Sequence, residues 1–142
     1  MRISNVLRSK GNNVVTVQPD ETIKGLLRLL SEHGIGAMVV SSDGRTLEGI
    51  VSERDVVRAL HTEGPALLER TVRDIMTVDV HTCEPDVPID DLMRTMTDER
   101  VRHIPVVVDG ELKGIVSIGD VVKFRIDELT TERDHLSAYI QS

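Results

Sequence analysis

Apolar and polar positions follow one pattern along the chain, and the pattern is written twice. Gly49–Val57 reads GIVSERDVV and Gly114–Val122 reads GIVSIGDVV, identical at seven of nine positions. In both, a β-branched run (Ile50–Val51, Ile115–Val116) ends at a serine, and an aspartate follows three residues later. That is the signature of a buried strand feeding the first turn of a helix. Ser52 and Ser117 are expected as N-caps, with Asp55 and Asp120 at the third helical position, where a carboxylate complements the helix N-terminus. Each copy so gathers polar groups and free backbone N–H donors at one spot, a place suited to an anion.

The repeat extends well beyond this motif. At an offset of 66, Thr16, Pro19, Asp20, Ile23 and Leu26 match Thr82, Pro85, Asp86, Ile89 and Leu92, and Leu30 corresponds to Met96. Asp43-Gly44 matches Asp109-Gly110, after which the offset falls to 65, and the lead-ins Ile3–Leu7 and Val72–Met76 agree loosely. Each copy predicts strand, helix, strand, strand, helix. In the first these are Val14–Val17, a helix capped by Asp20 and ended by Gly34, Ile35–Ser41, Leu47–Ser52 and a helix from Asp55 to His61. In the second they are Val80–Cys83, a helix bearing Ile89, Leu92, Met93 and Met96, the hairpin Val101–Val108 and Leu112–Ser117, and a helix opened by Asp120. Between the copies lies a polar connector with Gly64-Pro65 and a helical turn at Ala66–Arg70. Beyond the second copy a helix carries Ile126, Leu129, Leu136 and Ile140, an apolar stripe to be buried against the domain or a partner. The expected divisions are 1–61, first repeat with its lead-in; 62–71, connector; 72–124, second repeat; and 125–142, C-terminal helix. The fold class is α/β (α+β), two pseudo-symmetric βαββα repeats packed sheet to sheet, with two related clefts and a C-terminal helical tail.

Composition narrows the chemistry. The 142 residues are 39% apolar, enough for a core made almost without aromatics, since Phe124 and Tyr139 are the only two. Base-stacking platforms are absent, and a net charge of −7 argues against a general nucleic-acid binder. Cys83 is the only cysteine, which excludes an intrachain disulfide and a thiolate metal cluster. No run approaches the length of a membrane span and no signal peptide is evident, so a cytoplasmic protein is expected. The five histidines lack metal-ligand spacing, and Gly34-Ile35-Gly36 follows a helix, the wrong context for a dinucleotide fingerprint.

Two βαββα copies, each ending Gly-hydrophobic-x-Ser-x-x-Asp, resemble a tandem pair of cystathionine-β-synthase (CBS) domains. Asp74–Met76 (DIM) before the second copy and Ile104–Val106 (IPV) within it strengthen the likeness, which spans Ile3 to Phe124. The resemblance implies a regulatory module that binds adenine nucleotides: AMP, ADP, ATP or NAD, sometimes S-adenosylmethionine. It implies that Asp55 and Asp120 hold ribose hydroxyls and that Ser52 and Ser117 lie near phosphates. Ser-x-x-Asp is also a capping box that needs no ligand, and the two roles can coexist.

Arg102 and His103, just before Ile104 and Pro105, occupy positions where the family often places phosphate contacts; solvated strand charges are the alternative. The first copy has Gly36 and Ala37 there, leaving Arg54 and Lys10 as its basic candidates. Whether Arg102 serves its own copy or reaches across to the first is open at this point. Adenine would need a small apolar pocket, for which Thr16, Val17 and Gly36–Met38 are candidates in one cleft, and Thr82, Cys83 and Ile104 in the other.

The implied function is adenine-nucleotide sensing through conformational change, without catalysis or a catalytic cofactor. A homodimer and an unidentified protein partner are expected, with no nucleic acid and no membrane. The rivals are a ligand-free dimerisation or interaction module, and an enzyme, suggested only because CBS pairs are inserted in larger enzymes.

Overall fold

The computed structural model describes residues 1–141; Ser142, the end of the expected C-terminal helix, lies outside the described residues. The first half runs α1 (Ile3–Lys10), β1 (Thr16–Val17), α2 (Ile23–His33), β2 (Ala37–Val40), β3 (Gly49–Ser52) and α3 (Glu53–Glu63). A 3₁₀ segment at Gly64–Glu69 leads into α4 (Val72–Ile75), α5 (Ile89–Asp98), β4 (His103–Val108), β5 (Glu111–Ser117) and α6 (Ile118–Gln141). β2 pairs parallel with β1 and antiparallel with β3, while β4 and β5 form a separate antiparallel hairpin. The mixed α/β repeats and the C-terminal helix are those the sequence predicts.

Two local expectations are corrected. Asp20 does not cap α2: Thr22 does, its Oγ1 accepting from Gly25 N–H at 3.1 Å, while Asp20 pairs with Arg73 of α4. Val80–Cys83 is not a strand. Only Cys83 bridges the hairpin, donating to the Pro105 carbonyl (3.1 Å) and accepting from Val107 N–H (2.9 Å), while Val80 and His81 run along a cleft instead.

The halves are joined by exchange of their lead-in helices. Ile3, Val6 and Leu7 of α1, ahead of the first repeat, are buried with Ile89, Leu92, Met96, Ile104, Val106, Val116 and Val121 of the second. Leu67 and Val72, ahead of the second repeat, are buried with Ile23, Leu26, Leu30, Met38 and Val51 of the first. Matched hydrogen bonds fix both crossings. Ile3 N–H donates to Val87 O and Val72 N–H to Glu21 O, both at 2.9 Å. Ser4 N–H to Pro85 O (2.8 Å) is mirrored by Arg73 N–H to Pro19 O (2.9 Å), and Ile89 N–H to Met1 O (3.0 Å) by Ile23 N–H to Arg70 O (2.9 Å).

This crossing explains the glycine that opens each motif. A β-carbon on Gly114 would stand 2.7 Å from Leu7 Cδ2, and one on Gly49 would stand 2.8 Å from the Thr77 carbonyl oxygen and 2.9 Å from Met76 Sδ. At Gly49 the arriving backbone leaves no space for a side chain, and at Gly114 a side chain would have to push the buried Leu7 aside.

Helix α6 leaves the domain after its first turns. Val121 is buried and Phe124 packs on the second core, and Arg125 pairs with Asp90 and Glu128. Beyond them Ile126, Leu129, Leu136 and Ile140 are exposed, Ile140 at 80%.

Candidate functional site

Both motifs form the local structure their spacing predicts. Ser52 Oγ accepts from Asp55 N–H at 3.3 Å, and Asp55 Oδ2 accepts from Ser52 N–H at 2.8 Å. In the second copy the distances are 3.1 Å for Asp120 N–H to Ser117 Oγ and 2.9 Å for Ser117 N–H to Asp120 Oδ2. Each is a reciprocal capping box, so the Ser and Asp have a structural role before any ligand arrives. The box engages only Oδ2 of Asp55, and among the described residues nothing donates to its Oδ1.

The two aspartates then part ways. Asp55 lines a cleft of about 1200 Å³ between the repeats, whereas Asp120 does not line it. Asp120 is instead paired with Lys10, whose Nζ lies 2.5 Å from Asp120 Oδ2 and donates to the Ile115 carbonyl at 2.7 Å. Burial pushes the Asp120 carboxyl up, but hydrogen bonds from Lys10 and Ser117 outweigh it and hold it below the ordinary range. The sequence makes Lys10 a basic candidate for the first copy, and the structure places it at the second. Because α1 packs on the second repeat, its last turn delivers the ammonium to the second motif.

One wall of the cleft is Gly36, Ala37, Ile50 and the start of α3 with Ser52, Glu53, Arg54, Asp55 and Arg58. The other comes from the second half of the chain: Thr77 and Asp79–His81, Met96 and Thr97, Glu99–His103, and Ser117–Gly119. Arg102 and His103 thus share a cavity with Asp55. A β-carbon on Gly36 would lie 3.5 Å from Glu53 Oε2 and 3.8 Å from His103 Cε1, ordinary contact distances, so the chain just before β2 faces the His103 ring across the cleft. Burial, reinforced by the Arg102 and Lys10 charges, lowers the pKa of the His103 imidazole, so at neutral pH the cleft's positive charge comes from guanidinium groups.

Of the sequence candidates, the cleft brings together Gly36, Ala37, Ser52, Arg54, Asp55, Arg102, His103 and Ser117. Thr16, Val17, Met38, Thr82, Cys83, Ile104, Pro105, Asp120 and Lys10 do not line it. Val17, Met38 and Ile104 are core side chains, and Cys83 packs against the second core, where burial pushes its thiol up to about 11. Residue-by-residue reading missed Arg58, Arg100, His81, Thr77 and Asp79. Arg58 was findable, one helical turn beyond Arg54 on the same face of α3. Arg100 and the 77–81 stretch reach the cleft only through the packing of one repeat on the other.

Four arginines therefore face one cavity in a chain of net charge −7. Among the described residues none of Arg54, Arg58, Arg100 and Arg102 is ion-paired within the chain, although Glu53, Asp55, Asp79 and Glu99 share the lining. Unpaired guanidinium groups on a partly enclosed wall suit a phosphorylated anion, and a carboxylate with a free oxygen suits a hydroxyl donor.

The family model of the CBS domain matches residues 4–62 and again 72–127. The chain is 37% identical over 147 residues to CBS domain-containing protein CBSX3, mitochondrial, of Arabidopsis thaliana, covering 98% of this chain and 71% of that one. The crystal structure of the CBS-domain containing protein ATU1752 from Agrobacterium tumefaciens matches at TM-score 0.85 and 43% identity, over 88% of this chain and 99% of the other. The CBS domain pair of protein MJ0100, solved with 5'-methylthioadenosine and S-adenosyl-L-methionine, has the same fold at TM-score 0.77 and 24% identity, over 87% of this chain and 98% of that one. With both repeats matched by the family model and relatives aligned over most of its length, the chain belongs to the CBS-domain family as a tandem pair.

Proposed function

We propose that this CBS pair is a regulatory module that binds an adenine nucleotide in the cleft between its repeats and has no catalysis of its own. The observation that carries the reading is the meeting of Asp55 with four unpaired arginines, drawn from both repeats, on one cavity. A carboxylate can accept two hydrogen bonds from a ribose diol while guanidinium groups grip the phosphates. A ligand held by residues of both repeats ties them together and favours whichever arrangement presents both walls at once. MJ0100, a CBS pair of this fold, was solved with two adenosine derivatives, which is consistent with such a ligand here.

A melting-temperature screen with millimolar AMP, ADP, ATP, NAD and S-adenosylmethionine tests this. A ligand at about 100 times its dissociation constant stabilises by roughly 2.7 kcal/mol. For a chain of this size that raises the melting temperature by about 5–10 °C. No shift with any of the five would favour the second reading.

That second reading, a ligand-free interaction module, draws on the apolar residues left exposed along α6 and on motifs already satisfied as caps. Under either reading we infer a homodimer to which the α6 stripe contributes. Deletion of residues 130–142 should weaken association in sedimentation at low micromolar concentration while the CBS pair stays folded. An unchanged dimer would return the stripe to another role.

A further inference from the structure

Helices α2 and α5 end by the same device. Ile35 N–H donates to Leu30 O and Val101 N–H to Met96 O, each at 3.1 Å, closing the last turn around a residue in the left-handed region. In the first repeat that residue is Gly34, at φ 61°. Its counterpart 66 residues on is Arg100, at φ 55°. Glycine is the usual occupant because it has no β-carbon to clash with the backbone. Among the described residues the other non-glycine at positive φ is Asp109 in the β4–β5 turn, a residue type that tolerates this conformation. Local backbone chemistry accounts for Asp109 and does not account for Arg100.

Nor does the fold use its side chain. Arg100 is exposed, and among the described residues its guanidinium makes no ion pair or hydrogen bond, yet it lines the cleft beside Arg102. We propose that Arg100 is a ligand-anchoring residue: it stands where the helix end calls for glycine because its guanidinium grips the phosphate end of the bound nucleotide. A left-handed residue is strained, and strain of this kind persists where the side chain serves a site. Arginine suits the task, since its planar fork holds a phosphate through two parallel hydrogen bonds. The proposal rests on the nucleotide reading above and adds to it a residue that, with Arg102, selects for phosphate.

Arg100→Gly restores the glycine of the first repeat, so fold and binding should move in opposite directions. The ligand-free melting temperature should hold or rise, by up to about 4 °C. Affinity for ATP, measured by calorimetry, should fall about 10- to 100-fold, with adenosine affected far less. Arg100→Gln, which keeps the strained β-carbon and removes the charge, should lose the same affinity without the gain in melting temperature. ATP affinity within twofold of the parent in both variants would overturn the proposal. Inorganic tripolyphosphate separates the two readings. If the parent binds it but no nucleotide, and Arg100→Gly abolishes that binding, the nucleotide reading fails and the phosphate role of Arg100 stands. If the parent binds neither tripolyphosphate nor ATP, both fall.

Discussion

Ile3→Ala should lower the melting temperature by about 5–15 °C, although the residue stands at the very start of the chain. Ile3 is fully buried, and its neighbours Val6 and Leu7 lie in the same core. Truncating a buried isoleucine to alanine costs about 2–5 kcal/mol. For a chain of this length each kcal/mol moves the midpoint by roughly 2–4 °C. Removing residues 1–10 altogether takes away three buried side chains worth about 1.5–3 kcal/mol each, a loss comparable with a whole native stability of about 5–15 kcal/mol. The truncated chain should therefore fail to fold cooperatively. Leu67→Ala, the mirror-image test at the first core, should cost about as much as Ile3→Ala. Circular dichroism melts of the three variants decide the matter. A midpoint within a degree or two of the parent for Ile3→Ala would mean that α1 is a peripheral arm.

The same crossing bears on signalling. Each repeat's core is completed by chain that precedes the other, so the chain crosses between the repeats twice and tethers them to each other. Under the proposed function, a ligand held by both walls would shift one repeat against the other within that tether. Lys10 sits on the far side of that crossing, anchored by Leu7 one turn earlier, and holds Asp120 while Asp55 keeps an oxygen free. Two motifs of nearly identical sequence so become chemically unlike, through a residue outside both of them.

What the sequence made legible follows from how local each signal is. The capping boxes, the αL glycine of α2 and the turn at Asp109-Gly110 depend on residues three or four apart, and all are present. The register of the repeat was equally readable, because it rests on comparison of the chain with itself. Contacts between repeats were not. Lys10 lies 110 positions from Asp120, and no periodicity relates them; only the path of α1 across the second repeat brings them together. Arg102 in the cleft of Asp55 is another such case, as are Val80 and His81, whose apolar-polar pattern reads as a strand but which lie along the cleft. Of the candidates chosen for adenine, Val17, Met38 and Ile104 went into the cores, since apolar residues beside a motif strand are also what a core requires.

Asp55→Asn should weaken nucleotide binding about 10- to 100-fold, while Asp120→Asn should change it by no more than about twofold. Asparagine keeps an oxygen to accept from the Ser52 or Ser117 N–H, so both capping boxes survive and the variants isolate the charge. The asymmetry comes from position: Asp55 lines the cleft with one oxygen free, whereas Asp120 lies outside the lining and is already neutralised by Lys10. A hydrogen bond to a charged group is worth about 1.5–3 kcal/mol, and each 1.4 kcal/mol is about tenfold in affinity. If Arg102 grips phosphate as proposed, Arg102→Ala should cause a loss of similar size for ATP but not for adenosine. Neutral His103 beside it cannot supply the missing charge at neutral pH. Calorimetry with ATP and adenosine on the four proteins gives the comparison. If Asp120→Asn abolishes binding and Asp55→Asn leaves it intact, the ligand sits at the second motif despite Lys10, and the cleft assignment is wrong. If Arg102→Ala lowers ATP and adenosine affinity alike, Arg102 shapes the cleft wall and does not grip phosphate.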